Sequence, residues 1–292
     1  NNFQDDDANF YDGTIRGIDL NYTRGAFEIE GFYHTGSGNV YAANGGNENY
    51  GARIAYNGPK FRVSANGFWF NNADTYYTAD DELKDSISAA PKGIKADTLK
   101  DSGMTYKVYY FALGFKPIKG IDLTGGYWME DLASDHLGKL GEDSPKAWKI
   151  ILDVNQDLLK FTSLRAEFGK YDGGFYVQNS SGPMCWHANA EVNKGGAFYE
   201  ADTKFFKIDA LQKWGAKFQT YERYVHLNQD KDVKAGTKGG KAKELQLGVG
   251  YQYSPNLWFG LDWTKLEGKM ASGVVTPDYE DKIIRFRTIL NF

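Results

Sequence analysis

The last eleven residues of the chain, KIIRFRTILNF (282–292), alternate between apolar side chains and charged or polar ones. The same alternation occurs in ELQLGVGYQY (244–253) and in LWFGLDWTK (257–265). A period of two places successive side chains on opposite faces of a β-strand, so all three segments are predicted to be strands. One face carries large apolar side chains and no charge from Leu245 to Tyr253, from Leu257 to Trp263 and from Ile284 to Phe292. The opposite face holds the charges, and only Trp258, Ile283 and Ile289 are large and apolar there.

Ten further segments are predicted to be strands, which gives about 13 in total: residues 13–23, 27–34, 50–57, 60–70, 106–116, 121–129, 146–155, 160–171, 199–208 and 214–226. The segment 199–208 alternates least. Short connections (24–25, 58–59, 117–120, 156–159, 209–213, 254–256) alternate strictly with long ones (35–49, 71–105, 130–145, 172–198, 227–243, 266–281). In an up-and-down meander, all short turns then lie at one end of the sheet and all long loops at the other, as in bacterial outer-membrane barrels.

Composition and strand length favour a membrane-spanning sheet. Aromatic residues make up 16% of the 292 residues, Gly is abundant at 34, and the seven Pro all fall in predicted turns or loops. Most predicted strands match the roughly 9–11 residues that a tilted strand needs to cross a bilayer. We therefore predict an all-β fold in which residues 1–292 form a transmembrane antiparallel up-and-down β-barrel, with short periplasmic turns and long extracellular loops, in the bacterial outer membrane.

The number of strands leads to a further expectation. Single-chain bacterial barrels usually have an even number of strands, so we expect 14–16 in the complete barrel. An upstream strand would then be missing, poorly recognisable in residues 1–12, or paired non-covalently. The chain contains no signal peptide, which such a protein needs for export, and we therefore expect a mature form or a fragment.

The polar face is predicted to line a water-filled channel. It carries both signs of charge: Arg53, Arg62, Arg165, Arg223, Arg285 and Arg287, with Glu28, Glu30, Asp153, Glu167, Glu244 and Asp262. A two-residue turn at Gly58-Pro59 would make Arg53 and Arg62 diagonal neighbours about 7–8 Å apart. Rings of charge select ions by sign, so the predicted function is passive diffusion of small hydrophilic solutes and ions.

One long loop is a candidate for narrowing this channel. Residues 71–105 are rich in acids that could face an arginine wall: Asp74, Asp80, Asp81, Glu82 and Asp85. The alternative is that these acids stay in solvent outside the channel.

Two resemblances refine this hypothesis. The final strand, which ends in Phe292 and has Phe286 and Leu290 at alternate positions, resembles the C-terminal signature that the barrel-assembly machinery recognises. The whole chain resembles general porins, and the phrases NFYDGTIRGIDLNYT and WGAKFQTYERY are similar to the barrel of OmpM-type porins. That resemblance implies a homotrimer, a transverse field from basic rows facing an acidic loop, and a tether to the cell wall through an N-terminal S-layer-homology domain and stalk not present in this chain. Membrane lipid and lipopolysaccharide would surround such a barrel.

Other functions were weighed against the channel. The net charge of −4 and the absence of a basic stripe argue against nucleic acid as a partner. The Cys185-Trp186-His187 motif has too few ligands for zinc, and the acid-rich DANFYDG and DDELKD lack calcium-loop spacing. No catalytic residue, metal or cofactor is therefore predicted. An outer-membrane lipase or protease, using a pair such as Asp135 and His136, and a soluble β-sandwich binding module remain the alternatives.

Overall fold

The computed structural model describes residues 17–35, 48–72, 104–132, 144–173, 175, 202–230, 240–269 and 279–291. These residues form a single sheet of thirteen strands: β1 (Gly17–Arg24), β2 (Phe27–Thr35), β3 (Glu48–Asn57), β4 (Phe61–Asn72), β5 (Met104–Phe115), β6 (Ile121–Leu132), β7 (Lys146–Val154), β8 (Thr162–Tyr171), β9 (Thr203–Trp214), β10 (Phe218–Gln229), β11 (Gly240–Ser254), β12 (Leu257–Lys269) and β13 (Tyr279–Leu290). A single-turn helix, α1 (Gln156–Leu159), connects β7 to β8. No helix in the described part of the chain is long and apolar enough to cross a membrane.

Every strand pairs antiparallel with the next one along the chain, so strand order equals sequence order from β1 to β13. This confirms the all-β up-and-down meander. β1 and β13 form the two edges of the described sheet. Because the sheet has an odd number of antiparallel strands, β1 and β13 run in the same direction. One further strand placed between them would be antiparallel to both. The total of 14–16 strands stays a prediction, since residues 1–16 lie outside the described residues.

One predicted turn is wrong. Residues 209–213 continue β9, which runs to Trp214, and the chain turns at residues 215–217 instead. The turn needs a residue with positive φ, and Gly215 supplies it at 70°. The segment 209–213 contains no glycine. The sequence of this segment looks like a turn because it lacks the large apolar side chains that mark the outer face of the other strands. Asp209 and Lys213 alternate instead with the small Ala210 and the polar Gln212.

The two faces of the sheet differ sharply in exposure. Residues that are paired across strands share a face, and the register places every buried side chain of the described strands on the face that carries Glu30, Arg53 and Asp262, called the inner face here. The opposite, outer face carries the exposed large apolar side chains of the strands, among them Leu20, Leu113 and Phe286. Of the side chains that the structure describes, Ile289 is the only large apolar one that is exposed on the inner face.

Side chains that meet across intervening strands show that the sheet curves toward the inner face. Arg62 on β4 crosses over Gly114 on β5 to donate a 2.7 Å hydrogen bond to Thr124 on β6. A Cβ at Gly114 would overlap the Arg62 side chain. Tyr221 on β10 likewise lies over Gly248 on β11 and reaches Asp262 on β12 at 3.3 Å. Glycine is therefore required at these two places to let a long inner side chain pass.

One charged residue on the outer face departs from the apolar pattern. Glu222 on β10 lies between Ala210 on β9 and Leu247 on β11. Its Oε2 atom is buried and has no hydrogen-bond partner among the described residues. A buried, unsatisfied carboxylate oxygen costs about 1–3 kcal/mol, so this position weakens the sheet.

We expect Glu222→Leu to raise the free energy of unfolding by about 1–3 kcal/mol, because it removes the unsatisfied oxygen and adds an apolar side chain to the outer face. Urea unfolding in lipid vesicles, followed by tryptophan fluorescence, measures the change. Leu247→Glu, directly opposite, is the matched control and should lower stability. An unchanged or lowered midpoint for Glu222→Leu would contradict an apolar environment at this face.

Candidate functional site: the charged inner face

The inner face of β1 to β3 holds an acidic pair beside one arginine. Glu28 accepts a 2.9 Å salt bridge from Arg53 and hydrogen bonds from Asn21 and Asn57. Glu30, two residues along β2, is only 7% exposed and lies directly opposite Arg53 in the register. The Arg53 side chain is itself only 12% exposed, so its charge is largely covered by its neighbours.

A larger network spans β7 to β10 and is centred on Glu167. This carboxylate is 3% exposed and accepts salt bridges from Arg165 at 2.8 Å, Lys207 at 3.0 Å and Lys149 at 3.8 Å. Three cations around one buried acid leave an excess of positive charge, which peripheral acids reduce: Asp153 contacts Arg165 at 3.2 Å, and Asp209 contacts Lys207 at 3.0 Å and Arg223 at 2.5 Å. The inner faces of four strands are thereby tied together.

A third cluster occupies β10 to β13 around Asp262, which is 1% exposed. Arg285 contacts it at 3.1 Å and Arg287 at 3.2 Å, and the Gln246 amide donates a 2.9 Å hydrogen bond to it. Arg287 also donates to the Tyr221 hydroxyl at 2.6 Å, and its guanidinium lies 5.4 Å from the ring centroid of Trp258. The Asp262 carboxylate thus orients both arginines, and two aromatic side chains further fix the direction of Arg287.

Arginines project farther into solvent than most of the acids that they bind. The side chains of Arg165, Arg223, Arg285 and Arg287 are 29–36% exposed, whereas those of Glu167 and Asp262 are 3% and 1% exposed. Asp209 is intermediate at 23%, and Asp153 is the exception at 40%. An open cavity of about 870 Å³ lies against this part of the face, and its border includes all four arginines together with Asp153, Asp209, Glu222 and Glu244. Glu244 is buried, and the arginines are the more exposed partners in every ion pair of this border except that of Arg165 with Asp153. The inner-face charge that projects toward the cavity is therefore mainly positive.

All twelve charged residues predicted for the channel wall lie on the inner face. The predicted pairing of Arg53 with Arg62 is wrong. Ala55 rather than Arg53 lies opposite Ser64, and Arg62 lies opposite Asn57. Gly58 bonds to Phe61, so the two-residue turn is Pro59-Lys60, one residue later than predicted. Arg53 therefore lies opposite Asn66, four residues along β4 from Arg62, and the two arginines are too far apart to be diagonal neighbours.

The other predicted residues lie elsewhere. Phe286 and Leu290 are on the outer face, 66% and 51% exposed. Phe292 and the acids proposed for a constriction loop (Asp74, Asp80, Asp81, Glu82 and Asp85) lie outside the described residues. Among the residues of these clusters, sequence reasoning missed Lys149, Lys207, Asp209 and Tyr221. Strict alternation from Asp153 would have found Lys149. Lys207 lay in the poorly alternating segment 199–208, Asp209 lay in the misplaced turn, and Tyr221 was missed because it is aromatic.

At the long-loop end, the chain after β8 turns onto the inner face. Phe175 is 1% exposed, and its ring centroid lies 5.3 Å from that of Tyr171. The Tyr171 ring in turn lies 5.8 Å from the ring of Phe205. The carboxylate of Asp202 fixes this turn by accepting a 2.9 Å hydrogen bond from the Gly173 amide and a 2.5 Å salt bridge from Lys170. Burial by itself would raise the pKa of Asp202, but these two donors hold it below its ordinary value.

We expect Glu167→Gln to lower the free energy of unfolding by about 3 kcal/mol or more, because it leaves buried Lys149 and its neighbours without their shared counter-ion. Asp153→Asn is the matched control: its carboxylate binds the same Arg165 but is far more exposed, and its loss should cost under about 1 kcal/mol. Urea titrations of the two variants measure the difference, and equal losses would refute a special role for Glu167.

Comparison with known proteins rests on structure alone. A scan against protein-family models finds no match, and a search of curated proteins finds no significantly similar sequence. Among solved structures, OccK3 (OpdO) of Pseudomonas aeruginosa superimposes with a TM-score of 0.57 at 14% identity over 95% of this chain and 70% of that one. The fold is that of an outer-membrane β-barrel.

Two further structures agree. The outer membrane protein OprD of Pseudomonas aeruginosa gives a TM-score of 0.57 at 13% identity over 96% of this chain and 68% of that chain. OpdQ of the same organism gives 0.53 at 14% identity over 94% and 71%. At such low identity these likenesses establish the architecture of the sheet, and the chemistry of the site has to be argued from the residues of this chain.

Proposed function

We propose that this chain is a channel of the bacterial outer membrane that lets small hydrophilic solutes and ions diffuse passively. One observation carries the proposal. The outer face of the sheet exposes apolar side chains, whereas the inner face carries ionised side chains next to a cavity. Hydrocarbon tolerates the first face and water the second, which is the arrangement of a membrane barrel with a polar interior. The match to OprD, described as an outer membrane protein, supports the location.

The channel is favoured over the two alternatives. A soluble β-sandwich would bury the apolar face that here lies exposed on all thirteen strands. An outer-membrane lipase or protease would need an aligned nucleophile and base. The candidate pair Asp135 and His136 lies outside the described residues, and the ionised inner-face groups described above bind one another as salt bridges. Extraction from membranes by high salt without detergent would revive the soluble alternative.

The proposal also covers the oligomeric state, the cell-wall tether and the assembly signal, which are inferred from the sequence resemblance. The likeness to OmpM-type porins supports a homotrimer, a cell-wall tether through an N-terminal domain, and recognition of the C-terminal strand by the barrel-assembly machinery. Chemical cross-linking in native membranes tests the trimer, and deletion of Phe292 tests the assembly signal. The solved structures that match are of the OprD and OccK kind, so they support the general class of outer-membrane channel and not the OmpM-type assignment.

Ion selectivity provides the direct test of the wall. Arg287→Gln and Arg223→Gln each remove a guanidinium that is about a third exposed, and we expect each to lower the anion-to-cation permeability ratio by about twofold. Arg53→Gln is the matched control, because its charge is covered and bound to Glu28, and it should change the ratio little. Reversal potentials in planar bilayers under a salt gradient measure all three.

Two results would count against the proposal. Purified protein that forms no conducting channels at all would point to a plugged barrel or an enzyme. Channels whose reversal potential is the same in the wild type and in both exposed-arginine variants would show that ions do not pass along this face.

A further inference from the structure

Most outer-face lysines at the long-loop end of the sheet are neutralised by acids. Lys107 contacts Asp131, and Lys204 contacts Asp230, both at 3.6 Å. Lys170 binds Asp172 and Asp202, and the pair Lys265 and Lys282 shares Glu267 and Glu280. These pairs form a balanced charged border above the apolar outer face.

Two neighbouring lysines on β11 interrupt this balance. Lys241 and Lys243 are exposed, and the described residues offer no salt bridge to either. Glu267 lies directly opposite Lys243, but it is already bound by Lys265. Lys146 on β7 also has no ion pair with any described residue, but no second lysine without such a pair is next to it along its strand.

A histidine completes this basic group. His226 on β10 lies directly opposite Lys243 and on the same outer face. Its Nε2 atom is buried and has no hydrogen-bond partner in the described structure. Lys241, Lys243 and His226 are called the β10–β11 basic cluster here. The cluster offers two exposed ammonium groups to a ligand from outside the chain, and they lie beside an imidazole whose buried Nε2 atom has no partner among the described residues.

The cluster lies at the height where a bilayer's apolar core would end. Below Lys243, the outer face of β11 carries Leu245, Leu247, Val249, Tyr251 and Tyr253 without a charge. Ten residue steps from Lys243 to Tyr253 span roughly 33 Å along the strand at about 3.3 Å per residue. A strand tilt of roughly 40° reduces this to about 25 Å, the height of the apolar band of an outer-membrane barrel.

The surface directly below the cluster suits acyl chains. Phe206 on β9 and Leu247 and Val249 on β11 are 39–42% exposed and lie on the same outer face. A ligand that contacts both regions needs an anionic head group and a long apolar tail. Membrane lipids with a phosphate in the head group have this chemistry, whereas a soluble anion would leave the apolar part uncovered.

We propose that the β10–β11 basic cluster binds the phosphate of a phosphorylated lipid in the leaflet that faces the long loops. Lys241 and Lys243 neutralise the phosphate, and the acyl chains lie along Leu247 and Val249. This proposal rests on the membrane placement proposed above, and it adds a specific lipid site on the outside of the barrel, away from the inner face.

The test compares two double variants of the full chain in detergent micelles. Lys241→Gln/Lys243→Gln should weaken binding of bisphosphorylated lipid A, measured by native mass spectrometry, by about thirtyfold. Lys107→Gln/Lys204→Gln removes the same charge from the same border but from lysines that already have acidic partners, and it should leave binding within about twofold of the wild type. A phosphate-free analogue of the lipid should bind to the wild type as weakly as lipid A binds to the first variant.

Several outcomes would overturn the lipid site. Equal weakening in both double variants would show unspecific attraction. Displacement of the lipid by inorganic phosphate at equimolar concentration would indicate a site for free phosphate. A change of oligomeric state in Lys241→Gln/Lys243→Gln, with lipid binding unchanged, would show that the cluster contacts a second copy of this chain.

Channel conductance keeps this inference separate from the proposed function. Because the cluster is on the outer face, Lys241→Gln/Lys243→Gln should conduct like the wild type in planar bilayers. Normal conductance with unchanged lipid binding would refute the lipid site alone. Absence of conductance from the wild type would refute the channel and leave the lipid measurement to stand by itself. Heat-modifiable mobility in gels verifies that each variant is folded.

Discussion

Each strand of this sheet must turn its ionised side chains toward one face, because an Arg or Lys that faces hydrocarbon costs about 2–4 kcal/mol at the bilayer midplane. The inner face therefore receives nearly all the charge of the spanning segments and has to accommodate it in a confined space. It does so by neutralisation within the sheet. Buried carboxylates such as Glu167 and Asp262 lie at the wall, and cations from neighbouring strands converge on them.

This arrangement links stability to function. The same salt bridges that fasten β7 to β10 and β10 to β13 also decide which charges protrude toward the cavity. Acids lie deep and arginines lie above them, so the protein can compensate its charges pairwise and still present a cationic surface. Gly114 and Gly248 make two of these contacts possible. Because they have no side chain, Arg62 and Tyr221 can cross a strand to reach Thr124 and Asp262.

The outer face obeys the same constraint with two local departures. Glu222 places an unsatisfied carboxylate oxygen among apolar neighbours, and the basic cluster of Lys241, Lys243 and His226 concentrates charge at the upper border. Apart from Lys146, the other lysines of this border whose side chains are described bind acids. At these two positions a polar group on the outer face lacks a partner among the described residues. A lipid or another protein chain would stabilise the sheet most by binding there.

The sequence alone determined the strand content, the meander order and the assignment of side chains to two faces. These follow from a period of two and from the alternation of short and long connections, which are local properties of the chain. The tertiary structure decided which charges meet. Hairpin register depends on how a turn closes, so the predicted Arg53–Arg62 pair was wrong, and the turn at Gly215 lay beyond the polar segment 209–213. The convergence of Arg285, Arg287, Gln246 and Tyr221 on Asp262 depends on sheet curvature, which brings together side chains on four strands that no sequence spacing relates.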